Sequence, residues 1–125
     1  MIVGIGTDII TIARIASVLE RQGRRFAERI LHPDELAVFS QHPQPERFLS
    51  KRFAVKEAAS KALGTGIGQG VSWRDFWVEH NELGAPILRM CGEAQAMAER
   101  LGAVNYHLSL ADEQESVVAF VVLSK

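Results

Sequence analysis

A single cysteine, Cys91, stands in the 125 residues. That count excludes an intrachain disulfide and any multi-cysteine metal site, so zinc is not the metal to expect, and Cys91 reads as a small apolar residue near a strand end. No apolar run is long enough to cross a bilayer. The opening residues lack the basic region, apolar core and cleavage site of a signal peptide, and the expectation is a cytoplasmic protein with no membrane partner. Internal repeats, low-complexity tracts and interdomain linkers are absent too, which leads to one domain over residues 1–125. Gly64-Thr-Gly-Ile-Gly68 is not a P-loop, because no Gly-Lys-Ser/Thr follows it, and it does not follow a strand as a dinucleotide fingerprint must. His32, His42 and His80 sit in loop-like surroundings without a neighbouring nucleophile, and His107 within a strand reads as structural, so no Ser–His–Asp logic is present.

The net charge of −1 is small, but it is unevenly placed. Up to Lys61 the basic side chains outnumber the acidic ones, and beyond it the balance reverses. An anionic partner is therefore expected on the N-terminal half, whether phosphate-rich small molecule, acidic protein or nucleic acid. Nucleic acid fits least well, since no aromatic stacking platform stands beside the arginines.

Hydrophobic residues make up 47% of the chain, enough for one core of useful size. Residues 2–8 read as a strand ended by Asp8, with Gly4 and Gly6 permitting close backbone approach. Thr11–Gln22 is an amphipathic helix, carrying Ile12, Ile15, Ala16 and Leu19 at helical spacing and stopped by Gly23. Short helices are expected over Phe26–Ile30 and Pro33–Phe39. A long helix follows over Arg47–Leu63, ended by Gly64 in the left-handed conformation. Strands are expected at Trp73–His80 and Pro86–Met90, a helix at Glu93–Leu101, and strands at Val104–Leu110 and Val117–Leu123. This order predicts an α+β domain with an antiparallel sheet packed with helices. Val117–Leu123 is apolar on both faces, so it is central in its sheet or covered by another subunit.

The long helix carries the chemistry. Phe48, Val55, Ala59, Ala62 and Leu63 form its core stripe, and Arg47, Ser50, Glu57 and Lys61 fall on the opposite side. Glu57 then reads as a lone carboxylate among Arg52, Lys56 and Lys61, shortly before a glycine-rich turn. Such a group suits a bound phosphate and its metal, although an ordinary i,i+4 Glu57–Lys61 surface pair, worth a few tenths of a kcal/mol, explains the same spacing. Asp8 supplies a second carboxylate, as a metal ligand on a rigid strand end or as a helix N-cap. Arg14, Arg21, Arg25 and Arg29 stay off the apolar stripe and form either a solvated face or a docking surface for an acidic helix, with Phe26 as an apolar anchor.

Gly6-Thr-Asp8 and Phe53-Ala-Val-Lys-Glu-Ala-Ala-Ser-Lys61 together resemble the holo-acyl-carrier-protein synthases of the 4′-phosphopantetheinyl transferase superfamily. The similarity extends to Arg25–Leu31, the Gly64-Thr-Gly-Ile67 loop, Leu83-Gly-Ala-Pro86 and His107-Leu-Ser-Leu-Ala-Asp112. It implies the phosphopantetheinyl transferase fold and a Mg²⁺-dependent transfer of phosphopantetheine from coenzyme A to a serine of apo-acyl carrier protein, releasing adenosine 3′,5′-bisphosphate. On the same resemblance Asp8 and Glu57 are metal ligands, and Lys61 is a catalytic cation at the phosphates. Arg52, Phe53, Ser60, Gly64, Thr65, Gly66 and Ile67 are implied around coenzyme A. Arg14, Arg21, Arg25, Phe26 and Arg29 are implied as the carrier-protein surface. A homotrimer with the coenzyme A cleft between subunits is also implied. The acceptor of the serine proton stays open among a metal-bound water, Asp8 and Glu57. The chain departs from relatives in placing Asp112 where some carry a histidine, and in Gly23, an extra residue ahead of Arg25. A non-catalytic basic module binding an acidic protein is the alternative; it would have no need of Asp8 and Glu57 together.

Overall fold

Side chains alternate along the last strand, and the alternation decides which face meets the helices. In a computed structural model, which describes residues 1–125, Val117, Ala119, Val121 and Leu123 are buried, whereas Val118 and Phe120 point outward. The strands are β1 (Ile2–Thr11), β2 (Phe76–His80), β3 (Pro86–Met90), β4 (Asn105–Asp112) and β5 (Ser116–Ser124). The helices are α1 (Ile12–Gln22), α2 (Arg24–Ile30), α3 (Pro33–Gln41), α4 (Pro45–Leu63) and α5 (Gly92–Leu101). β5 is central in an antiparallel sheet of order β1-β5-β4, and β2 and β3 form a separate hairpin. The helices with antiparallel sheets give the α+β architecture expected from the element order.

α4 lies on the inner face of the three-stranded sheet and is the element around which the rest is packed. Gly64 ends it with φ 83°, its N–H bonding the Lys61 carbonyl at 2.9 Å. β1 approaches α4 unusually closely. A Cβ on Gly6 would stand 2.0 Å from the Ala58 carbonyl oxygen and one on Gly4 2.1 Å from that of Ala62, so only glycine permits this contact.

Three expectations change. β1 does not stop at Asp8 but continues to Thr11, because Ile9 and Ile10 go on pairing with Val118 and Val117; Asp8 is thus within the strand, opposite Ala119, and caps no helix. Trp73–Asp75 is a 3-10 turn and only Phe76–His80 is strand. The cause is a capping box, in which the Ser72 hydroxyl accepts the Arg74 N–H and the Asp75 carboxylate accepts the Ser72 N–H. Finally, α4 is buried nearly all round, so that Ser50, expected on the solvent side, has no exposure.

Candidate active site

Gly4, Gly6 and Asp8 share one face of β1 by strand parity, and the two glycines put that face against α4. Asp8 is therefore aimed at the helix. Its Oδ1 accepts a hydrogen bond from Lys61 Nζ at 3.1 Å, and the same ammonium donates to the Thr7 carbonyl at 3.0 Å. Asp8 is largely sheltered and Lys61 half-exposed, leaving the ammonium accessible to an anion from solvent. The spacing-based pairing of Lys61 with Glu57 is replaced by this contact across the β1–α4 interface.

Glu57 stands one turn before Lys61. Its Oε1 accepts the indole N–H of Trp73 at 3.3 Å, and it takes part in no ion pair. Arg52 and Lys56, expected beside it, are elsewhere. Successive helical residues are turned by about 100°, and these two side chains reach the interior around Glu35. Lys56 Nζ donates to Glu35 Oε1 at 2.6 Å and to the Ile30 carbonyl at 2.7 Å. Arg52 Nε lies 3.3 Å from Glu35 Oε2, which also accepts the Val78 N–H at 3.0 Å. Burial pushes the Lys56 ammonium down to about 8, against the opposing pull of Glu35, and lowers the Arg52 guanidinium for the same reason.

Among the residues that the resemblance places around coenzyme A, Phe53 is half-buried and stacks 6.2 Å from Trp73. Arg52 is held by Glu35 and stacks on Phe48. Ser60 is fully buried, its hydroxyl donating to the Glu57 carbonyl at 2.8 Å. Its own carbonyl accepts the Thr65 and Gly66 N–H groups, so Ser60 shapes the loop Gly64, Thr65, Gly66 and Ile67 from beneath.

On the outer side of α1 and α2, Arg21, Arg25 and Arg29 line a hollow of about 350 Å³ with Gln22. Arg14 is exposed on α1 and Phe26 packs 6.3 Å from Phe53. Gly23, with φ 67°, turns the chain so that Arg24 faces Glu28 and Ser40 while Arg25 joins the hollow. A larger cavity of about 690 Å³ opens elsewhere, beside the first half of α4, among Arg47, Lys51, Arg52, His80 and β4. There Asp112 is paired with Arg47 at 2.8 Å and with Lys51 at 3.7 Å.

Sequence reasoning missed Trp73, Glu35 and the Arg47–Asp112 pair. The Ser72-x-x-Asp75 spacing was the available signal for the turn that carries Trp73; the other two contacts join residues far apart in the chain.

The donor set at Asp8 and Glu57 consists of hard carboxylate oxygens. No group of three or more His, Cys, Asp or Glu side chains gathers anywhere, which disfavours a fully protein-ligated transition metal. One or two carboxylates completed by waters and substrate phosphates are what Mg²⁺ uses, so these residues fit it.

Comparison with known proteins gives a consistent picture. A family model described as the 4′-phosphopantetheinyl transferase superfamily matches residues 4–121. The chain is 56% identical over 122 residues to the holo-[acyl-carrier-protein] synthase of Vibrio parahaemolyticus, covering 98% of this chain and 97% of that one. The crystal structure of the Neisseria meningitidis holo-[acyl-carrier-protein] synthase superposes with a TM-score of 0.94 at 44% identity, covering 100% of both chains. That of a Bacillus anthracis holo-(acyl-carrier-protein) synthase in complex with CoA (3′,5′-ADP) does so with a TM-score of 0.81 at 42% identity, covering 98% of this chain and 96% of that one. Identity of this extent over nearly the full length places the chain in the holo-[acyl-carrier-protein] synthase family of the 4′-phosphopantetheinyl transferase superfamily, as an enzyme of that transferase class.

Proposed function

We propose that this enzyme transfers 4′-phosphopantetheine from coenzyme A to a serine hydroxyl of an apo-acyl carrier protein, with Mg²⁺ as cofactor and adenosine 3′,5′-bisphosphate as the released product, in the cytoplasm. The observation that carries the reading is the meeting of Asp8 and Lys61 across the β1–α4 interface, with Glu57 one turn away and free of cations. The names of the relatives, and the coenzyme A bound to the Bacillus anthracis neighbour, support the choice of substrates.

Asp8 and Glu57 would hold the metal, which when bound supplies neutralisation of the pyrophosphate charge. Lys61 is held by Asp8 and the Thr7 carbonyl with its ammonium half-exposed, so it is placed to stabilise the oxygen that leaves with the adenosine half of coenzyme A. The serine oxygen forms its bond to the phosphorus bearing the pantetheine arm as the bond to that leaving oxygen breaks. Asp8 and Glu57 are the acceptors that the chain itself offers for the serine proton. Phe53 packs on Trp73 one turn before Glu57, and Ser60 bonds the Glu57 carbonyl while its own carbonyl holds the start of the Gly64–Ile67 loop; Arg52 is turned to Glu35 and reaches the cavity beside the first half of α4.

Arg14, Arg21, Arg25, Phe26 and Arg29 form the surface for the carrier protein, whose acidic helix complements the arginines, three of which line one hollow. The chain assembles as a homotrimer through the outer face of its sheet, with the coenzyme A cleft between subunits. Ile5 and Ile9 are 61% and 67% exposed on that face and Phe120 44%, a concentration of apolar surface that a second copy would cover.

The test is substitution at the centre. Asp8→Ala and Glu57→Ala should each lower the transfer rate about a hundredfold or more, with thermal melts showing that the fold is retained. Normal turnover in either variant would remove the metal assignment.

A further inference from the structure

Glu57 is held by a donor that carries no charge. The only side chain bonded to its carboxylate is Trp73, whose indole N–H reaches Oε1 at 3.3 Å. A lysine or arginine in that place would supply a counter-charge as well as an orientation, as Lys61 does for Asp8. An indole fixes one oxygen and leaves the charge, and the second oxygen, available to a cation.

The indole is itself fixed. Its turn, Trp73–Asp75, is closed by the Ser72 hydroxyl, which accepts the Arg74 N–H, and by the Asp75 carboxylate, which accepts the Ser72 N–H and, at 3.3 Å, the Ala94 N–H of α5. The ring packs 6.2 Å from Phe53, one turn before Glu57 on α4, and Phe53 packs in turn on Phe26. The same ring lines, with Arg25, Glu28, Arg29 and Arg74, a concavity of about 470 Å³ on the arginine side of the molecule. One side chain thus touches both Glu57 and the edge of the face assigned to the carrier protein.

We infer that Trp73 is a positioning residue: its indole N–H orients the Glu57 carboxylate for the divalent cation. The inference rests on the magnesium reading of Asp8 and Glu57 and adds to it how one ligand is held.

The chain has two tryptophans, so Trp77→Phe makes Trp73 the sole indole fluorophore. The emission of that variant should change when Mg²⁺ and coenzyme A are added together, and an unaltered spectrum overturns the inference. Trp73→Phe keeps an aromatic ring against Phe53 and deletes the donor. Calorimetric titration with Mg²⁺ in the presence of coenzyme A should show affinity about tenfold below that of the parent, and raising Mg²⁺ should restore the transfer rate, which a merely structural defect would not allow. Equal affinity in parent and variant overturns the role of Trp73 alone. A parent protein that binds no Mg²⁺ overturns the magnesium reading, and this inference with it.

Discussion

At the scale of single residues, the buried trio of Lys56, Arg52 and Glu35 is the feature with the clearest consequence. It places two cations against one carboxylate in the interior, and the Glu35 oxygens also serve the His32 and Val78 N–H groups. Lys56, fully buried and pushed down to about 8, sheds its proton in the folded protein while an unfolded lysine keeps it to 10.5. Between those values the unfolded chain binds the additional proton, so Lys56 makes stability rise with pH across that window, by about 3 kcal/mol in full. Lys56→Met has no such group. The stability difference between the two, from urea unfolding at pH 7 and pH 10, should therefore widen by about 2 kcal/mol at the higher pH. A difference that stays constant would show that Lys56 does not titrate there. The same trio shows what a one-dimensional reading cannot see: Lys56 precedes Glu57 in the chain, but its partners, the Ile30 carbonyl and Glu35, come from α2 and α3 and are brought to it only by folding.

At the scale of elements, the contact between β1 and α4 sets the site. The glycines of β1 were legible as permitting close approach, and the left-handed end of α4 at Gly64 was legible from its place after the last apolar residue. The position of Asp8 was less so, since Gly-rich residues followed by a carboxylate resemble a strand end, and only pairing with β5 shows that the strand continues. Likewise the one-sided stripe assigned to α4 understates its burial, because it is surrounded by the sheet, by other helices and by the 3-10 turn. Gly6→Ala tests the contact. Its Cβ would stand 2.0 Å from the Ala58 carbonyl and 2.7 Å from the Ala62 nitrogen, which forces the strand and helix apart. Destabilisation of about 3 kcal/mol is expected, with a lower transfer rate at temperatures where the variant remains folded, because Asp8 is displaced from α4. A melting temperature equal to that of the parent would contradict the packing described.

At the scale of the whole molecule, the helices face one way and an apolar sheet surface the other. Ile9 and Val118 are paired across β1 and β5, and Thr7 and Ser109 flank Phe120, so the outward residues make a continuous patch. For the homotrimer proposed above, light scattering should report about three times the chain mass of 13.8 kDa, and Phe120→Arg should shift the protein to monomer by placing a charge in that face. A monomeric parent would contradict the assembly and leave the apolar patch without an occupant. No helix is long and apolar enough to cross a membrane.

In the function proposed above, the Asp8–Glu57–Lys61 centre performs a Mg²⁺-dependent transfer onto a carrier protein. The most direct measurement is the intact mass of apo-acyl carrier protein after incubation with this enzyme and coenzyme A, with Mg²⁺ in one sample and EDTA in the other. A gain equal to one phosphopantetheine, present only with Mg²⁺, is the predicted result. The same gain in EDTA, or no gain with a carrier that a control transferase modifies, would contradict it.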